Sequence, residues 1–351
     1  MPYLLTRRAA AQLAAACMLG LPVAGRAAAT RPRLAFVSHA PDSDTWWTPI
    51  RNAIRQASDD WDVDVDYLNP KDGSLQGMVA ILDGLSPPRY DGVVSTLADY
   101  RTLSPVLRKI TGARGLPLIT VNSGTGAESA LVGALVHIGQ PEELAGLEAG
   151  RQARKAGITQ FVCLNHYSTN AASHERCRGF ASGLEVASDA SVELVLSGSR
   201  AQMEATIRDY LAAHPQTQAL LALGPTSAEP ALAALQVPRG NRRRPAFMSF
   251  DLSPEIVAGI RAGTVSFAID QQPYAQGYLA VALMAEYLRQ GRPENFQIVK
   301  YTVFAQTKMH ARMAHYGIEL RPSDTRDINS GPGFVTSLNV DLVERFSGQY
   351  R

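Results

Sequence analysis

The stretch RLAFVSHAPDSDTWWTPIRNAIRQASDDWDVDVDYL, residues 33–68, decides the fold. Its first part, RLAFVS (33–38), is an unbroken apolar run of strand length, the pattern of a strand covered on both faces. Trp47, Ile50, Ile54, Ala57 and Trp61 then recur at three- and four-residue spacing with Pro49 near the start, which predicts an amphipathic helix. VDVDYL (63–68) alternates apolar and polar and predicts a second strand. Strand, helix, strand within so few residues is a βαβ unit, and its strands are parallel because a helical crossover returns the chain in the same direction.

The same alternation continues towards the C-terminus. Helix 75–85, strand GVVST (92–96), a helix near 104–114, strand PLITVN (117–122) and strand ALVGALVHIG (130–139) complete a first series. A second series opens with helix 142–156 and strand QFVCLN (160–165), followed by a helix carrying Arg176 and Phe180 and by strand VELVLS (192–197). Helix 200–213, strand ALLALG (219–224), a helix to about Leu235, strand AFMSF (246–250), helix 254–262, strand VSFAI (265–269) and helix 276–289 follow. The tail from about Gln297 reads as a strand, a short helix and the loop INSGPGFVT (328–336). Two such series in 351 residues predict two doubly wound α/β lobes rather than one core.

Composition narrows the function classes. A formal net charge of +2 leaves no electrostatic footprint for nucleic acid. The run Arg242-Arg243-Arg244 between Gly240 and Pro245 reads as a solvated turn, and His310 and His315 as solvated histidines of a surface helix. Residues 1–29 read as a secretory signal peptide: Arg7 and Arg8, an Ala/Leu-rich stretch, then Ala27-Ala28-Ala29. The arginine pair keeps both the general secretory and the twin-arginine route open, and Cys17 lacks the apolar lead-in of a lipoprotein site. Without that segment Cys163 and Cys177 remain, and a disulfide and two buried thiols are both open readings. The expected location is periplasmic, the expected state a monomer without a cofactor or metal.

In open parallel sheets, ligands sit beyond the carboxyl ends of the strands. The segments leaving those ends here are SHAPDSDTWW, STLADYR, VNSGTGA, NHYSTN, GPTSAE, FDLSPE and IDQQPYAQG. They are rich in acids, amides, hydroxyls and aromatics, whereas GARGLP and VPRGNRRRP at the opposite ends hold turn formers and surface charge. NSGTGA and SGPGF lack phosphate-loop and dinucleotide spacing, and no nucleophile elbow occurs. Asp99, Asp251 and Asp270 are carboxylates suited to acid/base chemistry on a glycoside, but no spacing ties them into a pair. A binding site for a polyhydroxylated molecule fits better. Asp251 and Asp99 accept hydrogen bonds, Arg176 donates, Asn122 and Gln271 do both, and Trp46 and Trp47 offer flat apolar faces.

The motifs LAFVSHAPDSDTWW, LPLITVNSG, HIGQPEELAGLEAG, SHERCRGF, FMSFDLSPE and FAIDQQPYAQGY, in this order, resemble the type I periplasmic sugar-binding proteins of the ribose-binding-like branch. That resemblance implies two lobes joined by a three-segment hinge: residues 30–139 plus 272–298 as one lobe, 140–271 plus 299–351 as the other. It implies a neutral monosaccharide or sugar alcohol held between them, and delivery to the membrane permease of an ABC transporter. A sensor that presents its ligand to a membrane receptor is the alternative partner role, and a glycoside-acting enzyme a further one. The ligand-binding positions it implies are Trp46, Trp47, Asp44, His39, Asp99, Asn122, Gln140, Arg176, Asp251 and Gln271. Each has a plainer reading: Trp47 as helix anchor, Trp46 as an exposed aromatic, Asp251 as a helix cap, Arg176 in an ion pair with a helix neighbour such as Glu175, Asn122 as a turn residue. Gln271 reads equally as a hinge hydrogen-bonder and His39 as a strand-end residue.

Overall fold

A computed structural model describes residues 31–168, 170–186, 192–237, 244–313, 321–322 and 327–345. The expected signal peptide (1–29), Arg242, Arg243 and His315 lie outside them, and of His310 only the backbone is described.

The opening βαβ unit forms as β1 (Arg33–Val37), α1 (Thr48–Trp61) and β2 (Asp64–Leu68). β1 is buried from Leu34 to Val37, while α1 turns Ile50, Ile54, Ala57 and Trp61 inward and its Pro49 sits in the first turn, where no donor is missed. α2 (Leu75–Asp83), β3 (Gly92–Ser95), α3 (Tyr100–Thr111), β4 (Leu118–Val121), α4 (Gly126–Leu131) and β5 (His137–Gly139) follow. The expected strand 130–139 is shorter than its apolar pattern: a capping box, Thr125 with Glu128, starts α4, and only the last three residues pair in the sheet.

The second lobe runs through α5 (Glu142–Lys155), β6 (Phe161–Asn165), α6 (Ala171–Leu184), β7 (Val192–Val195), α7 (Arg200–Ala213), β8 (Ala219–Ala222), α8 (Pro225–Gln236), β9 (Ala246–Phe250), α9 (Pro254–Arg261) and β10 (Phe267–Asp270). α10 (Pro273–Arg289) crosses back and packs on α1. Then come α11 (Ile298–Met313), β11 (Arg321–Pro322), β12 (Asp327–Asn329), β13 (Gly333–Val335) and α12 (Val340–Glu344). One sheet has the order β11-β12-β5-β4-β3-β1-β2, the other β13-β10-β9-β8-β6-β7. All pairings are parallel except β11 with β12 and β10 with β13. Each sheet carries core on both faces. The topological switch falls between β1 and β3 in one lobe and between β6 and β8 in the other, where crevices for ligands open.

The tail departs from expectation. Residues from Gln297 do not form a strand but the helix α11, whose Ala305 and Met309 enter the first lobe's core. Its β-branched residues favour a strand only as a weak local preference, and burial of that face outweighs it. Assigning 299–351 wholly to the second lobe is therefore corrected: α11, β11 and β12 belong with the first sheet. The loop 328–336 is instead two short strands, β12 in one sheet and β13 in the other. The chain thus passes between lobes at 139–142, 270–273 and 329–333.

Of the two readings of the cysteines, the disulfide is the one found, joining β6 at Cys163 to α6 at Cys177 across 14 positions of sequence. Replacing both with Ala is expected to lower the free energy of unfolding by about 3 kcal/mol, the value for closing a loop of this length. An unchanged urea midpoint would show that the bond does not brace the lobe.

Candidate functional site

Two helices bring the site's charges together. Along α5, Glu142, Gly146 and Gly150 stand four apart; along α6, Arg176, Gly179 and Gly183 share one face. A Cβ on Gly146 would come to 2.2 Å from the Arg176 carbonyl oxygen, and one on Gly179 to 2.0 Å from that of Glu143. Gly150 and Gly183 are equally tight, at 2.3 and 2.1 Å from facing carbonyls. Only glycine permits backbones this close. The result is a buried fork: Arg176 Nε and Nη2 each donate to a Glu142 carboxylate oxygen at 2.7 Å. Arg176 Nη1 donates to the Leu223 carbonyl at 2.8 Å, and the guanidinium lies 4.4 Å from the centre of the Phe250 ring. Burial opposes the charge of Arg176, yet Glu142 holds its pKa above the ordinary value.

This pair forms part of the wall of a cleft of about 910 Å3 between the lobes, at the large end for small-molecule sites. From the first lobe come His39, Asp44, Trp46, Trp47, Asp99 and Asn122; from the second, Glu142, His166, Glu175, Arg176 and Asp251. Gln271, on the second crossing, completes the floor.

The aromatic wall is fixed locally. Asp44 caps the short turn Thr45–Trp47 by accepting from the Trp46 amide at 3.0 Å. Burial raises the Asp44 pKa, against that amide and Arg51. Trp47 is buried in the core and also lines the cleft, while Trp46 is half-buried and meets it edge-to-face at 5.3 Å. Trp47 therefore anchors α1 and borders the cleft at once, and Trp46 has the more accessible face. His39 also stands edge-on to Trp47 and contacts Thr96 Oγ1 through Nδ1 at 3.1 Å. Burial lowers the His39 pKa to about 4, so the ring is neutral at physiological pH.

The acids differ in what they have left to offer. Asp99 caps α3, accepting from the Thr102 amide at 2.7 Å, and hydrogen bonds from Thr102 hold its pKa low. Asp251 is buried, with the amide of Gln271 donating to both carboxylate oxygens at 2.8 and 2.9 Å. Burial pushes its pKa up to about 6, against Arg176 and Gln271 and helped by Glu142 and Asp270. Asp251 and Asn122 both sit at positive φ, +59° and +66°. Such backbone is strained away from glycine and tends to be retained where a side chain must point at a site. The reading of Asp251 as a helix cap is not the one found, since Ser253 caps α9 by accepting from the Ile256 amide.

Gln140 is the one position of the expected set that the structure removes from the cleft. It is buried behind the wall, and its amide donates to Glu142 Oε2 at 2.8 Å. Sequence reading missed His166, Glu175 and Glu142 as cleft residues, and Glu142 matters most: the partner of Arg176 is Glu142 on the neighbouring helix, not Glu175 on its own. Its signal was present as glycines four apart, EELAGLEAG and RCRGFASG, the mark of helices packed backbone to backbone. Among the described residues no group of three His, Cys, Asp or Glu is arranged to hold a metal ion.

A periplasmic binding protein domain matches residues 34–293. The chain belongs to the periplasmic binding protein family. No curated protein sequence matches it. Among solved structures, the family member resembles a carbohydrate transporter from Acidothermus cellulolyticus 11B in complex with myo-inositol, with 24% identity over 91% of this chain and 98% of that one and a TM-score of 0.73. It also resembles an ABC transporter solute-binding protein from Burkholderia graminis C4D1M in complex with D-arabinose, with 17% identity, 88% and 97% coverage and a TM-score of 0.67. GanP, a glucose-galactose binding protein from Geobacillus stearothermophilus, shares 18% identity over 88% and 98% with a TM-score of 0.65. At these identities the likeness establishes the two-lobed fold.

Removing the carboxylate from the buried fork should be severe. Glu142→Ala is expected to destabilise by about 3–5 kcal/mol, because Arg176 stays buried without its partner. Glu142→Gln, which still accepts one hydrogen bond, should lose less. Urea denaturation reads both, and a loss below about 1 kcal/mol for the Ala variant, typical of an exposed pair, would contradict the buried assignment.

Proposed function

We propose that this periplasmic binding protein captures a neutral monosaccharide or sugar alcohol in the interlobe cleft, outside the cytoplasm, and delivers it to an ABC-type membrane permease. The observation that carries this reading is the convergence, on one cleft between two lobes, of an accessible indole, a buried guanidinium and a buried carboxylate. Three of the five N–H donors of Arg176 are engaged by Glu142 and Leu223, which leaves two for ligand oxygens. Asp251 and Asn122 take hydroxyl hydrogens, and Trp46 takes the CH face of a ring. Micromolar affinity requires about −8 kcal/mol. One stacked ring gives roughly 1 kcal/mol. Hydrogen bonds to charged groups, at about 1.5–3 kcal/mol each, supply most of the rest once the lobes close and exclude water. Binding rather than turnover is supported by the family, and the sugar ligands of the structural relatives support the ligand class.

A thermal-shift screen of pentoses, hexoses and polyols tests the reading. A ligand at 100 times its dissociation constant adds about 2.7 kcal/mol of stability. Trp46→Ala and Asp251→Ala should each abolish the shift, and an intact response in Asp251→Ala would remove Asp251 from the site.

Binding should also depend on pH with a definite sign. Ligand hydroxyls donate to ionised Asp251, whose pKa is about 6, so affinity should fall as pH drops from 7 to 5. His39 and His166 are held at about 4 by burial, for His166 with the Arg176 charge adding to it, and stay neutral across that window. Burial and the Glu142 charge raise Glu175 as well, so Asp251→Asn is the control. That variant should flatten the profile, and a slope that persists would assign it to another acid.

A further inference from the structure

Gln276 lies outside the cleft, in the first turn of α10, and is fully buried. Its amide nitrogen donates to the Gln271 carbonyl at 3.1 Å and to Ser330 Oγ at 2.9 Å; its amide oxygen accepts from Asn122 Nδ2 at 3.1 Å. A backbone carbonyl can only accept, so the Gln271 carbonyl fixes which end of the Gln276 amide is the nitrogen. The Gln276 oxygen then has to face Asn122, which fixes the Asn122 amide in turn. With its nitrogen taken by Gln276, Asn122 has its Oδ1 on the other side, where Ser123 Oγ donates to it at 3.0 Å; both residues line the cleft. The polarity of one cleft residue is thus dictated by a backbone carbonyl of the second interlobe crossing.

The same knot ties the crossings to one another. Gln272, at positive φ, donates from its side chain to the Ser330 carbonyl at 2.6 Å and from its backbone to Asp270 Oδ1 at 2.9 Å. Gly331 abuts both the Asp270 carbonyl, at 3.2 Å from a would-be Cβ, and Gln140 Oε1, at 2.5 Å. The first, second and third crossings therefore meet around Ser330 and Gly331, and Gln276 is the side chain that joins this meeting point to Asn122.

We infer that Gln276 is a positioning residue for ligand binding: it sets Asn122 as a hydrogen-bond acceptor toward the cleft and links that acceptor to the hinge. This rests on the reading of the cleft as a polyol site. The ligand favoured by this polarity bears a hydroxyl, not a carbonyl or ether oxygen, at the position facing Asn122. Gln276→Leu keeps the apolar stem and removes both the donor and the acceptor. With Asn122 free to flip, ligand-facing polarity is lost.

Two measurements separate the inference from the polyol reading. The first needs no ligand: the side-chain amide of Asn122, identified by its disappearance in Asn122→Ala, is followed by NMR. In the wild type the proton that Nδ2 donates to Gln276 should exchange slowly with solvent, and in Gln276→Leu rapidly. Equal exchange in the two proteins overturns the hydrogen-bonded chain. The second is calorimetric titration with myo-inositol, D-arabinose and D-galactose as probes. Gln276→Leu should weaken the best of them about tenfold, the loss of one oriented hydrogen bond. In an Asn122→Ala background it should cause no further loss, since Gln276 acts through Asn122. Additive losses would reduce Gln276 to a packing role and overturn the inference. Slow amide exchange with no probe bound by the wild type would support the chain and contradict the polyol reading.

Discussion

The buried fork between Glu142 and Arg176 is the interaction on which the second lobe's half of the site depends. It exists because four glycines let α5 and α6 touch backbone to backbone, so that two residues on different helices meet at 2.7 Å away from water. A buried ion pair of this kind contributes little net stability compared with an apolar pair. Its value lies in placement. The guanidinium is held in plane by Glu142 on one edge, Leu223 on the other and Phe250 beneath, so its remaining donors are aimed before any ligand arrives. Preorganisation of this sort spares a ligand the ordering that would otherwise subtract from affinity.

The first lobe works by different physics. Its wall is aromatic, and the short turn capped by Asp44 decides where the indoles stand. Trp47 is committed to the core, which makes Trp46 a shelf on a rigid footing. One lobe therefore contributes dispersion and shape, the other oriented charge. The proposed ligand, a ring with hydroxyl edges, calls on both faces at once. The three crossings are laced by amide side chains, and the buried Asp251 and Gln271 stand where the second of them meets the cleft.

Much of this was legible in the sequence, for physical reasons that differ by element. The βαβ rhythm was readable because strands covered on both faces are short apolar runs and their helices carry one apolar stripe. The loops holding Trp46, Asn122 and Asp251 stood out because polar and aromatic residues crowded one set of sheet ends. Gln140 was misplaced by proximity: it adjoins the site along the chain, yet its side chain turns behind the wall to Glu142. Glu142 itself was hidden because its partner lies 34 positions away and the contact depends on helix packing. The helix α11 was hidden because Ile298, Val299 and Val303 carry a local strand preference, and only burial of Ala305 and Met309 against the first lobe decides otherwise.

The central claim is that the two faces act together by closing over one small molecule. Small-angle X-ray scattering tests it directly, with the purified protein measured alone and saturated with the sugar that stabilises it most. The account predicts a smaller radius of gyration and a shorter maximum dimension in the saturated sample. Identical scattering at full occupancy would contradict it.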